Sequence, residues 1–199
     1  MSRAYMGAIM AAVALFGCAT GSQRPQALPL PPQRITQPGY SLLPLDEKGW
    51  VAGPRDQRQM MLGRHGSNPD ETIAIQGIAF PLPAFHSIDE FVRVVREGQA
   101  VDTDHARFQV LKHEVVADSS RQATCARSHL ITEDSGAAKR TATAGAMVLE
   151  VATLTCAHPG RAGLGISVIY SHRYYAGQAD PAFMEKADRV MGSVELTGL

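Results

Sequence analysis

The sequence has no excess of charge of either sign. Its 199 residues include 19 lysines and arginines and 19 aspartates and glutamates, so the formal net charge is zero when the histidines are neutral. Proteins that bind nucleic acid use clustered basic residues against the phosphate backbone, and no long run of one charge is present here. We therefore expect no nucleic-acid partner and no strongly charged partner.

Motifs of the common catalytic and metal sites are missing as well. The seven histidines and three cysteines form no H-E-x-x-H, H-x-H or C-x-x-C pattern. The sequence also has no phosphate-binding glycine loop and no G-x-S-x-G nucleophile elbow. From this we expect no catalytic residue, no resident metal and no cofactor.

No apolar run is long enough for a membrane-spanning helix, which needs about 20 residues. The longest candidate is the uncharged stretch 4–16, which follows Arg3 and precedes Gly17 and Cys18. A short basic start, an apolar stretch and a small residue before the cleavage point are typical of a secretory signal. The sequence thus predicts a cleaved signal peptide over residues 1–17.

The four residues Leu15-Phe16-Gly17-Cys18 resemble the lipobox of bacterial lipoproteins. The resemblance implies a diacylglyceryl thioether on Cys18, cleavage before it and acylation of the new amine, as with palmitate. Ala19 stands where an inner-membrane lipoprotein carries a retention aspartate. This implies the outer membrane, facing the periplasm, if the source is Gram-negative. The alternative is an ordinary cleaved signal with Cys18 merely nearby.

Prolines are concentrated directly after Cys18. Five lie between residues 19 and 40, among glycine, serine and glutamine. Such a composition favours an extended polyproline II spacer. We therefore predict a proline-rich tether over residues 18–45, followed by a single domain over residues 46–199.

The remaining two cysteines, Cys125 and Cys156, form an even pair in a chain predicted to be exported. We expect a disulfide bond between them. The alternative is a pair of free thiols that bind a metal or serve a redox reaction, although neither cysteine lies in a C-x-x-C motif.

Strand-like segments dominate the rest of the chain. Two segments have the apolar spacing of a helix, one beginning at Ser87 with a capping box formed with Glu90, the other beginning at Asp180-Pro181. The predicted strands are 59–65, 72–80, 108–117, 123–132, 147–157 and 164–175, with a short strand or tail after Ser193.

This succession predicts an α+β fold, with a mostly antiparallel sheet of about six to seven strands and two main helices packed on it. The order of elements over roughly residues 50–196, together with the closing stretch 187–196, resembles the PsbP-like family. The resemblance implies a sandwich in which helices cover a central antiparallel sheet.

The hairpin from Cys156 to Tyr175 has the most polar side chains that could carry chemistry. A ligand site would use His158, His172 and Arg173 of this hairpin, together with His129, which lies four residues after Cys125. The alternative is structural: a histidine at the core edge, an aromatic cluster and an arginine paired with a carboxylate. The pattern favours the structural interpretation.

These observations lead to one main expectation about function. We expect a lipid-anchored protein of the bacterial cell envelope that acts as a non-enzymatic binding, accessory or assembly module. Its partners would be the membrane, through the lipid on Cys18, and an envelope protein or small ligand. The alternative is a metal-binding or enzymatic module centred on the hairpin Cys156–Tyr175.

Overall fold

The computed structural model describes residues 26–198. The predicted signal peptide, Cys18 and the first part of the predicted tether lie outside the described residues. In chain order the elements are β1 (Gln26–Ala27), β2 (Ile35–Gln37), β3 (Tyr40–Leu42), β4 (Val51–Arg55), β5 (Gln59–His65), β6 (Thr72–Pro81), α1 (Ile88–Asp102), β7 (Phe108–Asp118), β8 (Cys125–Asp134), β9 (Met147–Ala157), β10 (Leu164–Tyr175), α2 (Phe183–Gly192) and β11 (Glu195–Leu196).

Eight of the strands form one large antiparallel sheet with the order β1-β4-β5-β6-β10-β9-β8-β7. A second, three-stranded sheet has the order β11-β3-β2. Together with the two helices, these sheets confirm the predicted α+β class. The large sheet has one strand more than the upper end of the predicted range, because β1 and β4 extend it beyond β5.

Side chains of the central strands alternate between two separate cores, as the two-residue period of a strand requires. On one face, Ile169 and its neighbours pack under α1 around Phe91. On the other face, Val168 and Tyr170 pack under α2 and the small sheet, around Phe183. Both faces of the middle strands are therefore buried, and we refer to them as the α1 face and the α2 face.

The start of α1 follows the predicted capping box with one difference. The Ser87 hydroxyl accepts a hydrogen bond from the Glu90 N–H at 3.1 Å, as expected. The Glu90 carboxylate, however, accepts from the N–H of His86 at 2.8 Å, one residue earlier than predicted. The helix extends to Asp102 and includes Gly98, which is buried.

Residues 26–45 correct the predicted tether. Both β2 and β3 lie in this range, and β3 pairs with β11 at the other end of the chain. Tyr40 and Leu42 are completely buried. A Cβ atom added at Gly77 would lie 2.5 Å from the Tyr40 ring, so this glycine lets the ring lie on β6. The tether prediction is therefore wrong for residues 26–45, which belong to the domain.

The predicted disulfide is present. Cys125 and Cys156 lie opposite each other on β8 and β9, with a Cα–Cα distance of 4.1 Å. They join neighbouring strands inside the core of the α2 face. Within residues 26–198, neither helix is long and apolar enough to cross a membrane.

Candidate functional site

The candidate histidines and Arg173 separate onto different parts of the sheet. His172 and Arg173 are consecutive on β10 and therefore point to opposite faces. His172 shares the α2 face with Tyr170, and His129 of β8 lies on this face as well, next to Phe183. Arg173 extends across the α1 face toward the end of β8. His129 and His172 therefore share the α2 face, on strands separated by β9, whereas Arg173 lies on the other face.

His129 and His172 each contact a carboxylate. His129 Nε2 lies 2.8 Å from Oε1 of Glu150, and His172 Nε2 lies 2.6 Å from Oε1 of Glu71. The hydroxyl of Tyr174 donates to Oε2 of Glu150 at 3.1 Å. The rings of Tyr174 and His172 lie 4.7 Å apart and so join the two pairs. We call these five residues the polar row.

Burial and charge shift the pKa values of two groups in the polar row. Burial, followed by the negative charge of Glu150, raises the pKa of Tyr174 to about 12. Burial raises the pKa of Glu71, but hydrogen bonds from His172 and from the backbone of Asn68 outweigh it and lower the pKa below its usual value. Tyr174 is therefore neutral and Glu71 ionised at neutral pH. Tyr174 can thus donate a hydrogen bond to Glu150, and Glu71 can accept one from His172.

Phe183 of α2 covers one end of the polar row. Its ring stacks 6.1 Å from the ring of His129 and lies 5.2 Å from the ring of Tyr170. The His172 side chain is only 3% exposed. A substrate therefore has little access to His172, and the row as a whole ties β8, β9, β10 and the segment before β6 together.

Arg173 belongs to a separate ionic cluster on the α1 face. Arg107 contacts both oxygens of Asp134, at 2.7 and 2.9 Å, and Nη2 of Arg173 lies 2.9 Å from Oδ2 of the same carboxylate. Burial lowers the pKa of Arg173, while the charge of Asp134 opposes that shift. The structure thus has the arginine–carboxylate pair expected by the structural interpretation of the hairpin.

Asp70 holds the loop between β8 and β9 against the start of β6. Its carboxylate accepts hydrogen bonds from the Tyr175 hydroxyl at 2.8 Å, from the Thr141 N–H at 3.1 Å, and also from the Thr141 hydroxyl and the Arg140 N–H. The hydroxyl of Thr141 is the largest of the causes that lower the pKa of Asp70 to about 2. Asp70 therefore attaches the loop to the last residue of β10.

His158 lies far from the other histidines. His129 is opposite Ala152 on β9, and His158 is six residues further along the chain. At a rise of about 3.3 Å per residue, the two positions are about 20 Å apart along the strand. His158 Nε2 instead lies 2.9 Å from the carbonyl oxygen of Thr197. The histidines that follow the two cysteines therefore do not converge.

The metal-binding alternative loses its thiolate ligands, since both sulfurs are joined in the disulfide. Across residues 26–198, no group of three or more histidine, cysteine, aspartate or glutamate side chains is arranged to hold a metal ion.

The sequence interpretation missed the carboxylates that the candidates contact. Glu71, Glu150 and Asp134 become partners only through the strand register, which local patterns do not reveal. Glu150 did carry a signal, because it is a lone charge within the otherwise uncharged strand 147–157. Lysines, glutamates, arginines and aspartates are almost never fully buried unless paired. A buried strand with one glutamate therefore indicates a partner on a neighbouring strand.

The sequence interpretation also missed a surface cavity. It has a volume of about 420 Å³ and lies at the end of β6, between the β4–β5 turn and the β9–β10 turn. Arg58 comes from the first turn and Arg161 from the second. Unlike the polar row, this cavity is open to a ligand.

Comparison with known proteins gives a match for the fold alone. No protein-family model and no curated protein matches the sequence. Among solved structures, the fold is similar to that of LpqN of Mycobacterium tuberculosis, described as involved in cell envelope biogenesis, with a TM-score of 0.53 and 14% sequence identity. The similarity covers 83% of this chain and 90% of the LpqN chain, so it includes almost the whole described fold.

Proposed function

We propose that this chain is a lipid-anchored protein of the bacterial cell envelope whose domain is a non-enzymatic binding, accessory or assembly module. The lipobox-like residues Leu15–Cys18 support the anchor. The disulfide supports export, because disulfides persist in oxidising compartments such as the periplasm. The PsbP-like resemblance remains a prediction for the fold family.

The observation that carries the proposal is the fold similarity to LpqN. It extends over nearly the full length of both chains, and LpqN is described as taking part in cell envelope biogenesis. A lipobox-like start and a fold similar to that of an envelope protein lead independently to the same compartment.

The internal pairing of the candidate side chains favours a structural role for them, as expected in a non-enzymatic domain. Glu150 and Glu71 hold His129 and His172, while Asp134 holds Arg173. A general acid or base must reach its substrate within hydrogen-bond distance. These side chains reach each other instead and connect strands, which is what a stable scaffold requires.

Labelling with palmitate tests the anchor. We expect the wild-type chain to incorporate labelled palmitate and to sediment with membranes, and the Cys18→Ser variant to lose both properties. A Cys125→Ala, Cys156→Ala variant is the matched control, since it removes two cysteines and keeps Cys18. Label that persists in Cys18→Ser would contradict the proposal.

Crosslinking in intact membranes tests the role of the domain. We expect reproducible crosslinks to an envelope component from the wild-type chain, and none from a fusion that carries residues 1–25 on an unrelated domain. Crosslinks of equal yield from that fusion would assign the contact to the anchor and contradict a binding domain. A bound metal or turnover without any partner would favour the alternative centred on Cys156–Tyr175.

A further inference from the structure

One wall of the surface cavity at the end of β6 is the β4–β5 turn, whose backbone is held by hydrogen bonds. The Asp56 carboxylate accepts hydrogen bonds from the N–H groups of Arg58 and Gln59, at 2.7 and 2.9 Å. The carbonyl oxygen of Arg58 in turn accepts from the N–H of Ala79 at 2.7 Å. The backbone that carries the Arg58 side chain is therefore attached directly to β6.

The opposite wall is attached to the same strand. The N–H of Leu82 donates to the carbonyl oxygen of Gly163 at 2.8 Å, and the N–H of His158 donates to the carbonyl oxygen of Leu164 at 2.9 Å. Gly163 has a φ of +75°, a conformation that glycine adopts at no steric cost. These bonds hold the turn that carries Arg161, so both arginines stand on ordered backbone.

Neither guanidinium forms an ion pair within residues 26–198, although the Asp56 carboxylate lies near Arg58 outside the cavity. Within residues 26–198, the ion pairs of arginine involve Arg34, Arg64, Arg93, Arg107, Arg121, Arg127 and Arg173. No aspartate or glutamate lines the cavity. Guanidinium groups match carboxylates and phosphates in geometry and charge. Because neither guanidinium group is within ion-pair distance of a carboxylate in the described part of the chain, the two favour an anion in the cavity.

The floor of the cavity is apolar. It is formed by Ala79, Pro81 and Leu164, whose positions in the register of β6 and β10 share the α2 face. Ligand cavities that bury an apolar body next to a few polar groups span about 300–1,000 Å³, and a cavity of about 420 Å³ lies in that range.

We propose that this cavity binds an amphiphilic anion, with a phosphate or carboxylate held by Arg58 and Arg161 and an apolar chain against Pro81 and Leu164. This inference deepens the proposed function and rests on it only in taking the domain to be a binding module. Loss of the lipid anchor in Cys18→Ser leaves the cavity intact, so failure of one proposal is distinguishable from failure of the other.

Calorimetric titration of the full-length chain with octyl phosphate, below its micelle concentration, tests the inference. Octyl glucoside supplies the same chain without the charge, and inorganic phosphate supplies the charge without the chain. We expect the double variant Arg58→Gln, Arg161→Gln to bind octyl phosphate about a hundredfold more weakly, because hydrogen bonds to charged groups contribute on the order of a factor of ten each and two arginines are removed.

Arg189→Gln is the matched control. Arg189 is an exposed arginine of α2 that lies outside the cavity and has no ion pair among the described residues. We expect it to bind octyl phosphate as the wild type does, and Arg58→Lys, Arg161→Lys to recover part of the affinity. Three results would overturn the inference: equal affinity for octyl glucoside, equal affinity for inorganic phosphate, or equal weakening by Arg189→Gln.

Discussion

Nη2 of Arg173 lies 2.9 Å from Oδ2 of Asp134, and the two side chains are 5% and 0% exposed. Arg107 contacts the same carboxylate from the edge of the cluster, where its side chain is 24% exposed. Within the described part of the chain, Asp134 is thus the single carboxylate that forms an ion pair with Arg173.

Removing Asp134 leaves a charged guanidinium buried without a partner. We expect Asp134→Ala to lower the free energy of unfolding by about 3–5 kcal/mol, the usual cost of breaking a buried ion pair from one side. Urea denaturation measures this change. Arg93→Gln, which removes an exposed arginine paired with Glu90 and Glu97, is the control and should cost at most about 1 kcal/mol. Equal losses in the two variants would contradict a structural role for Asp134.

The disulfide should contribute a large share of the stability. It closes a loop with a sequence separation of 31 residues, which corresponds to about 3.5 kcal/mol in the chain-entropy model. We expect Cys125→Ala, Cys156→Ala to lower the free energy of unfolding by about this amount, and reduction of the wild-type chain to act similarly. A reduced wild-type chain as stable as the oxidised one would show that the bond is not needed for the fold.

Asp70 should stabilise the fold only while it is ionised. Hydrogen bonds, first from the Thr141 hydroxyl, lower its pKa to about 2 in the folded protein. Its contribution is therefore complete above about pH 4, the usual range of an aspartate, and is lost as the pH falls toward about 2. We expect Asp70→Asn to lower the melting temperature at neutral pH, by an amount that shrinks in acid, and to speed amide exchange in the loop 139–143. Unchanged exchange there would contradict the attachment.

Asp102, unlike Asp70, should destabilise the fold when it is ionised. It is the last residue of α1, where the helix dipole disfavours a carboxylate, and both of its oxygens are buried without a hydrogen-bond partner among residues 26–198. Burial raises its pKa to about 6. The folded state therefore holds the proton more tightly than the unfolded chain, so this contribution to stability falls as the pH rises from about 4 through about 6.

Replacing Asp102 by asparagine removes the loss of stability that accompanies ionisation of the Asp102 carboxyl. We expect Asp102→Asn to raise the melting temperature near neutral pH and to leave it unchanged near pH 4, where the wild-type carboxyl is already largely protonated in the folded state. Asp46→Asn, at an exposed position, is the control and should change the melting temperature at neither pH. A gain of the same size at both pH values would contradict the titration of Asp102.

Local patterns were sufficient for the elements that depend on neighbours in sequence. The hairpin of β9 and β10 follows from the strand-like segments 147–157 and 164–175, and the start of α1 follows from Ser87 and Glu90. The small sheet could not be predicted in this way. Its middle strand, residues 40–42, pairs with Glu195–Leu196 more than 150 residues away, while the nearby prolines favour an extended spacer.

The candidate site shows the same limit. Strand alternation alone puts Tyr170 and His172 on one face of β10 and Arg173 on the other, because alternation is local. Their partners Glu71 and Asp134 depend on the register of strands that are distant in sequence. The cavity depends on two turns meeting at the end of β6, so neither Arg58 nor Arg161 has a recognisable sequence signal.

The most direct test of a lipid-anchored envelope protein is the mass of its N-terminal peptide, measured on protein purified from bacterial membranes. We predict a peptide that begins at Cys18 and carries a diacylglyceryl thioether together with an acyl group on the amine. A peptide that begins at Met1, or at Cys18 with an unmodified thiol, would contradict the central claim.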